Sequence, residues 1–195
     1  MQGPDSETGR GRGNPLGIDR LAENGVQGRG VLVDLERIFG SGRRLIGAKE
    51  LLHALQVTGA TIAAGDILCL HTGFARHLWE MGERPDREKL SGLGCELDGA
   101  DEELLEWVSA SGIAAIAADN AVVEHRPVAP RTDGVLLPLH HHCLFKIGVP
   151  LGELWFLSDL ANWLSSHNRS RFFLTAPPLR LPGAVGSPVT PIATV

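Results

Sequence analysis

Three consecutive histidines and a nearby glutamate are the residues of this sequence best suited to chemistry. His140, His141 and His142 follow an apolar LLPL segment, and Glu153 lies further along the chain between a glycine and a leucine. In an extended segment, His140 and His142 would share one face and His141 would take the other. Two imidazoles with a carboxylate suit zinc or manganese. The alternative interpretation is a surface loop whose histidines bind no metal.

Glu153 admits three interpretations from its neighbours alone. It precedes Leu154 and Trp155, and a carboxylate buried among apolar side chains is costly unless it is paired. It can therefore be a metal ligand or a base. It can equally be a carboxylate at a helix start, where the N-terminal dipole stabilises negative charge.

Two further polar residues end predicted strands. Asp119 follows an apolar run, and strand ends are where α/β proteins place binding groups, so we interpret it as a possible wall of the site rather than a ligand. The alternative is a turn or capping aspartate. His71 ends another predicted strand, and we assign it no role. Cys69 and Cys143 have apolar neighbours and are expected to be buried, inert thiols.

The apolar patterning predicts the elements that must position these residues. Helices alternate with strands, which favours an α/β architecture in a single domain over residues 15–195. Residues 1–14 are expected to be disordered or a cut end, because they contain too little apolar surface to fold. Strands are predicted over 30–35, 67–71, 113–118, 134–139 and 171–175, and helices over 16–24, 48–57, 102–110 and within 155–166.

Composition and missing motifs exclude several classes of protein. The net charge of -5 and the lack of a basic block argue against a nucleic-acid partner. No apolar stretch is long enough for a membrane span. Three scattered cysteines indicate a reducing compartment, so a cytoplasmic location is expected. The sequence contains no phosphate-binding or dinucleotide-binding glycine motif and no serine-hydrolase G-x-S-x-G motif.

Several short motifs follow one another along the chain: LGID (16–19), GRGVLVD (28–34), GDIL (65–68), TG (72–73), ADN (118–120), PLH (138–140), GELW (152–155), PPL (177–179) and GAVGSP (183–188). Taken in this order, they resemble the cyclase family, which includes kynurenine formamidases and isatin hydrolases. The resemblance runs from about Leu16 to the C-terminus. It implies a swivelling β/β/α fold, a zinc or manganese cofactor and hydrolysis of an amide, lactam or lactone carbonyl. It also implies a homo-oligomer with arylformamidase-like activity in tryptophan catabolism.

The family's hallmark H-x-G-T-H-x-D motif has no counterpart here, since no histidine precedes His53. That motif supplies most metal ligands in the family, so we expect an N-terminally incomplete cyclase fold with impaired activity. Of the remaining ligands, the resemblance assigns His140 and Glu153, with His141 as the alternative, and it assigns no catalytic residue. The competing hypothesis is a non-catalytic remnant or oligomerisation partner of the same family.

Overall fold

The computed structural model describes residues 16–127 and 134–195. The chain divides into two compact units. The smaller unit takes in the chain up to Gly28 together with Phe173–Thr194, and the larger unit comprises Arg29–Phe172 with Val195. The predicted N-terminal segment, residues 1–14, lies outside the described residues, and the predicted single domain stays a prediction.

The helices and strands are short and alternate along much of the chain. In order they are α1 (Ile18–Asn24), β1 (Gln27–Asp34), α2 (Leu35–Phe39), β2 (Arg44–Ile46), α3 (Ala48–Thr58), β3 (Ile67–His71), α4 (Phe74–Glu80), α5 (Arg87–Ser91), β4 (Cys95–Leu97), α6 (Glu102–Ser111), β5 (Ala115–Ala118), the helical turn α7 (Pro138–His140), a π-helix (His141–Ile147), β6 (Leu151–Gly152), α8 (Ser158–Ser166), β7 (Arg171–Thr175) and β8 (Ile192–Thr194).

A parallel sheet in the order β6-β5-β3-β1 organises the larger unit. All the side chains of β3 and β5 are buried, as expected for parallel strands covered on both faces. Because neighbouring parallel strands run the same way, Asp34 pairs with His71 at the end of the sheet, and Asp119 follows β5 directly. The sheet therefore brings polar residues together at the carboxyl ends of its strands. A second, two-stranded parallel sheet pairs β2 with β4.

Helices α3 and α6 cover the core of the larger unit with their apolar faces. Leu51 and Ala54 of α3, and Leu104 and Val108 of α6, are buried in one cluster. The Asp101 side chain accepts hydrogen bonds from two backbone N–H groups of the first turn of α6, which fixes where that helix begins.

Backbone hydrogen bonds join the segments of the smaller unit. The later residues of β7 pair antiparallel with β8, from Phe173 onwards. The Ile18 N–H of α1 donates to the Ala184 carbonyl, and the Ala176 N–H donates to the Val26 carbonyl.

Most predicted elements are confirmed, and one is wrong. Helices α1, α3, α6 and α8 and strands β1, β3, β5 and β7 lie where the sequence patterning predicts them. The strand predicted over 134–139 is wrong, because the described segment leads into a helical turn that begins at Pro138. Proline suits the first helical position, where its missing N–H costs nothing. None of the described helices has the length and apolarity that crossing a bilayer requires.

Candidate functional site

His140 lies between two glutamates that approach its ring from opposite sides. Its Nδ1 atom is 2.7 Å from Oε1 of Glu124, and its Nε2 atom is 3.1 Å from Oε1 of Glu153. The sequence interpretation placed His140 and Glu153 at one site, and the structure brings these two side chains together. It adds Glu124, to which the sequence analysis gave no role.

Glu124 is a fully buried carboxylate whose two oxygens are both hydrogen-bonded. Oε2 accepts from the Leu139 N–H at 2.9 Å, and Oε1 accepts from the His140 N–H at 2.7 Å. A Cβ atom on Gly99 would lie 2.0 Å from Oε2 of Glu124, so the carboxylate occupies space that only glycine leaves open. Glu124 thus fixes both the backbone and the ring of His140.

Glu153 is presented by a tight turn that follows β6. A Cβ atom on Gly152 would lie 2.9 Å from the Trp155 ring, so the indole packs directly on the glycine backbone. The N–H groups of Leu154 and Trp155 donate to backbone carbonyls at the end of β5. The Glu153 side chain remains 39% exposed, which leaves its carboxylate accessible from solvent. Glu153 does not begin a helix, so the helix-start interpretation is wrong.

The two glutamates control the charge of His140. Partial burial favours a neutral ring, but the hydrogen bonds and negative charges of Glu124 and Glu153 outweigh it and raise the pKa of His140 to about 9. At neutral pH the metal-free protein therefore holds an imidazolium between two carboxylates.

The other two histidines face away from this pair. The extended conformation that would put His140 and His142 on one face is wrong, because His140 ends a helical turn and His142 lies in the π-helix. Nε2 of His142 is 2.7 Å from the Ser109 hydroxyl of α6. The His141 ring stacks on Phe145, with centroids 5.4 Å apart. His141 also lines a groove of about 650 Å³ beside α6. The geometry thus pairs His140, rather than His141, with Glu153.

Asp119 belongs to a second polar cluster at the strand ends. Its Oδ1 atom accepts hydrogen bonds from the N–H and hydroxyl of Thr72, both at 2.7 Å. Its Oδ2 atom is 4.0 Å from Nε2 of His71 and has no hydrogen-bond partner among the described residues. The His71 ring is 2.8 Å from Asp34 through Nδ1 and 3.0 Å from the Ser158 hydroxyl through Nε2.

This second cluster is a buried ion network around His71. Burial favours the neutral ring, but the hydrogen bond to Asp34 and the charges of Asp34, Asp119 and Glu36 raise the pKa of His71. Burial raises the pKa of Asp119, and its hydrogen bonds with Thr72 oppose that rise. The sequence contains a signal for this cluster, because Asp34 and His71 end two neighbouring parallel strands and Asp119 directly follows the next one.

The residues around His140 fit part of a metal site. Metal-bound histidines usually hold their second ring nitrogen against a carboxylate, as Glu124 does here, and Nε2 of His140 is directed toward Glu153. Over residues 16–127 and 134–195, however, no group of three histidine, cysteine, aspartate or glutamate side chains is arranged to hold a metal ion. A catalytic zinc usually takes three protein ligands. His140 and Glu153 therefore fit as two ligands of a larger set.

The fold and site together define an α/β protein with a carboxylate-oriented histidine. Residues 6–125 match the model of a family described as "Putative cyclase". The chain belongs to this cyclase family. The matched range contains Glu124 and ends before His140 and Glu153.

Solved structures support the same fold. The crystal structure of a novel cyclase is 32% identical over 92% of this chain and 56% of its own, with a TM-score of 0.77. Isatin hydrolase A from Labrenzia aggregata, bound to benzyl benzoate, is 13% identical over 92% of this chain and 65% of its own, with a TM-score of 0.67. A potential metal-dependent hydrolase with cyclase activity is 18% identical over 92% of this chain and 68% of its own, with a TM-score of 0.59.

The predicted cyclase fold is thus confirmed. The chain spans less than two thirds of the length of the first two of these proteins. No curated protein matches the sequence.

Proposed function

We propose that this chain is part of a metal-dependent hydrolase that acts on an amide, lactam or lactone carbonyl. The observation that carries the proposal is the position of His140, held by buried Glu124 on one ring nitrogen and facing Glu153 with the other. A divalent cation, zinc or manganese, is the ligand that this donor pair suits. The cyclase-family membership of the chain supports the same chemistry.

Each of the three side chains has a separate task in this proposal. Glu124 holds the proton on Nδ1 of His140 and keeps the ring from rotating, so that Nε2 can act as a ligand. Glu153 adds negative charge to the same position from the accessible side. Together, His140 and Glu153 would hold part of the coordination of a divalent cation, which would supply a bound water of lowered pKa and a Lewis acid for the substrate carbonyl.

The described residues supply two donors, so the proposal assigns the remaining ligands to another part of the whole protein or to another subunit. We expect a homo-oligomer on this basis, and the three free cysteines favour a cytoplasmic location. The alternative is a non-catalytic remnant or oligomerisation partner, which the lack of a three-ligand group among the described residues favours.

A metal titration with matched variants tests the proposal. Equilibrium dialysis of the chain with Mn²⁺ and Zn²⁺ is expected to give weak binding that Glu153→Gln and His140→Ala abolish. Hydrolysis of a formanilide, a lactam and a lactone by the same samples should fall in parallel with metal binding. His142→Ala is the control, because His142 contacts Ser109 and not the glutamates. Equal loss in all three variants, or metal binding that survives both site variants, would contradict the proposal.

A further inference from the structure

Asn120 is a buried residue that contacts the segments carrying both glutamates of the site. Its side-chain Oδ1 atom accepts from the Val123 N–H at 2.7 Å, and Val123 immediately precedes Glu124. Its backbone carbonyl accepts from the Leu154 N–H at 2.9 Å, and Leu154 immediately follows Glu153. One residue therefore joins the two chain segments that approach His140 from opposite sides.

The side-chain amide of Asn120 satisfies its hydrogen-bonding groups within the larger unit. Besides accepting from Val123, it donates to the carbonyls of Cys95, at 2.9 Å, and Val123, at 3.3 Å. It thus holds Val123 by both the N–H and the carbonyl. The Val123 carbonyl also accepts from the Leu97 N–H of β4, so Asn120 acts together with the neighbouring strand.

The backbone is strained at both points that Asn120 holds. Of the described residues, three that are not glycine have a positive φ: Val123 at 60°, Leu154 at 53° and Asn168 at 52°. A β-branched valine is especially unsuited to this region. Such conformations persist only where surrounding contacts impose them, and they concentrate at functional sites. Two of the three flank a site glutamate, and each is hydrogen-bonded to Asn120.

We infer that Asn120 is a positioning residue, whose side chain sets the direction of Glu124 and, through Glu124, the orientation of His140, while its backbone carbonyl holds the segment that carries Glu153. The functional meaning of this role rests on the proposed metal site, whereas the positioning itself concerns only the metal-free protein. A purely structural role for Asn120 would lower stability without changing the surroundings of the His140 ring.

The experiment observes His140 directly in the full chain. In protein labelled with ¹⁵N-histidine and freed of metal by a chelator, the Nδ1–H proton of His140 should resonate downfield because of its hydrogen bond to Glu124. Its assignment to Nδ1 follows from its loss in His140→Ala and its retention in Glu153→Gln, which changes only the partner of Nε2. In Asn120→Ala we expect this resonance to disappear through exchange with water, and we expect Mn²⁺ binding to weaken at least tenfold.

Two controls separate positioning from destabilisation. Val108→Ala removes core methyl groups from α6 and should lower the melting temperature while leaving the resonance intact. Asn168→Ala removes a side-chain amide from the one other described non-glycine residue with a positive φ, and it should also leave the resonance intact. If Asn120→Ala fails to fold, Asn120→Asp keeps the acceptor for Val123 but removes both donors, and it should weaken the resonance.

The outcomes distinguish this inference from the proposed function. A folded Asn120 variant that retains the wild-type resonance overturns the positioning role, whatever the metal titration gives. Loss of the resonance in a chain that never binds Mn²⁺ supports the positioning role and counts against the metal-dependent function.

Discussion

The position of the Glu124 carboxylate depends on Gly99, which has no Cβ atom to fill the same space. We expect Gly99→Ala to push the carboxylate out of its place, since the added Cβ would also lie 2.8 Å from the Leu139 nitrogen. Forcing atoms into a packed interior costs about 1–3 kcal/mol, so the free energy of unfolding in urea should fall by that amount. Gly42→Ala is the control, because a Cβ there meets nothing within 4 Å. Equal effects of the two substitutions would contradict this prediction.

His140 should also give the metal-free protein a characteristic dependence of stability on pH. The folded-state pKa of about 9 lies above the ordinary value of 6.5. The imidazolium therefore stabilises the fold fully below pH 6.5, and this stabilisation is lost as the pH rises toward 9. Melting temperatures measured with a chelator from pH 6 to 10 should fall more steeply for wild type than for His140→Gln.

His71 also loses stabilisation of the fold as the pH rises, because its pKa is raised as well. Both wild type and His140→Gln contain His71, so the difference between their pH profiles reports on His140 alone. Parallel pH profiles for the two proteins would show that the glutamates do not hold a charged His140 ring.

At the scale of elements, a partly buried ion pair joins β1 to the residue that precedes β3. Arg29 donates through Nε and Nη2 to the two oxygens of Asp66, at 2.7 and 2.8 Å. Asp66 also accepts from the Ala63 N–H. We expect Asp66→Asn to lower the free energy of unfolding at pH 7, measured in urea, and the 42% exposure of the Arg29 side chain to keep this loss small, because solvent screens the pair.

The acid dependence of this pair has the opposite sign to that of the histidines. Burial opposes ionisation of Asp66, but its bonds with Arg29 and Ala63 prevail, so the pKa of Asp66 is lowered from 3.8. Its stabilisation is present above pH 3.8 and is lost as the pH falls through the lower folded-state value. A double-mutant cycle with Arg29→Ala isolates the pair. Strictly additive losses would mean that the two side chains do not stabilise each other.

At the scale of the larger unit, an exposed aromatic pair suggests self-association. The Trp79 side chain is 78% exposed and meets Phe156 edge-on, with ring centroids 6.3 Å apart. Exposed apolar patches commonly mark association surfaces. Light scattering should show oligomers for wild type and smaller species for Trp79→Ser. Val57→Ser, at another exposed apolar residue, is the control. A monodisperse wild-type monomer would contradict this expectation.

The sequence predicted the elements whose patterning is strong and missed those set by distant contacts. Strand β3 is a run of five buried residues after a Gly65-Asp66 turn, and α6 begins with a capping aspartate, so both could be located from local sequence. Strands β2 and β4 are three residues each and exist because they pair with each other across the chain. Local patterning carries little information about such strands.

The residues of the site were predicted only where local sequence distinguishes them. His140 and Glu153 stood out by residue type, and the structure places them together. Glu124 did not stand out, because the neighbouring sequence does not show that its carboxylate is buried against a backbone segment further along the chain. The face that each histidine presents depends on the helical turn and the π-helix, and sequence patterning gave an extended segment instead.

The three buried cysteines allow local unfolding of the larger unit to be measured through their reactivity. Cys69 lies in β3, Cys95 in β4 and Cys143 in the π-helix, and all three are free thiols. Burial raises the pKa of Cys69 and Cys143 to about 12 and that of Cys95 to about 11, so none reacts readily while covered. The rate at which a thiol reagent modifies each cysteine, followed by mass spectrometry, therefore measures how often the element that carries it opens. The π-helix beside His140 can then be compared directly with the central strand, with no label added to the protein.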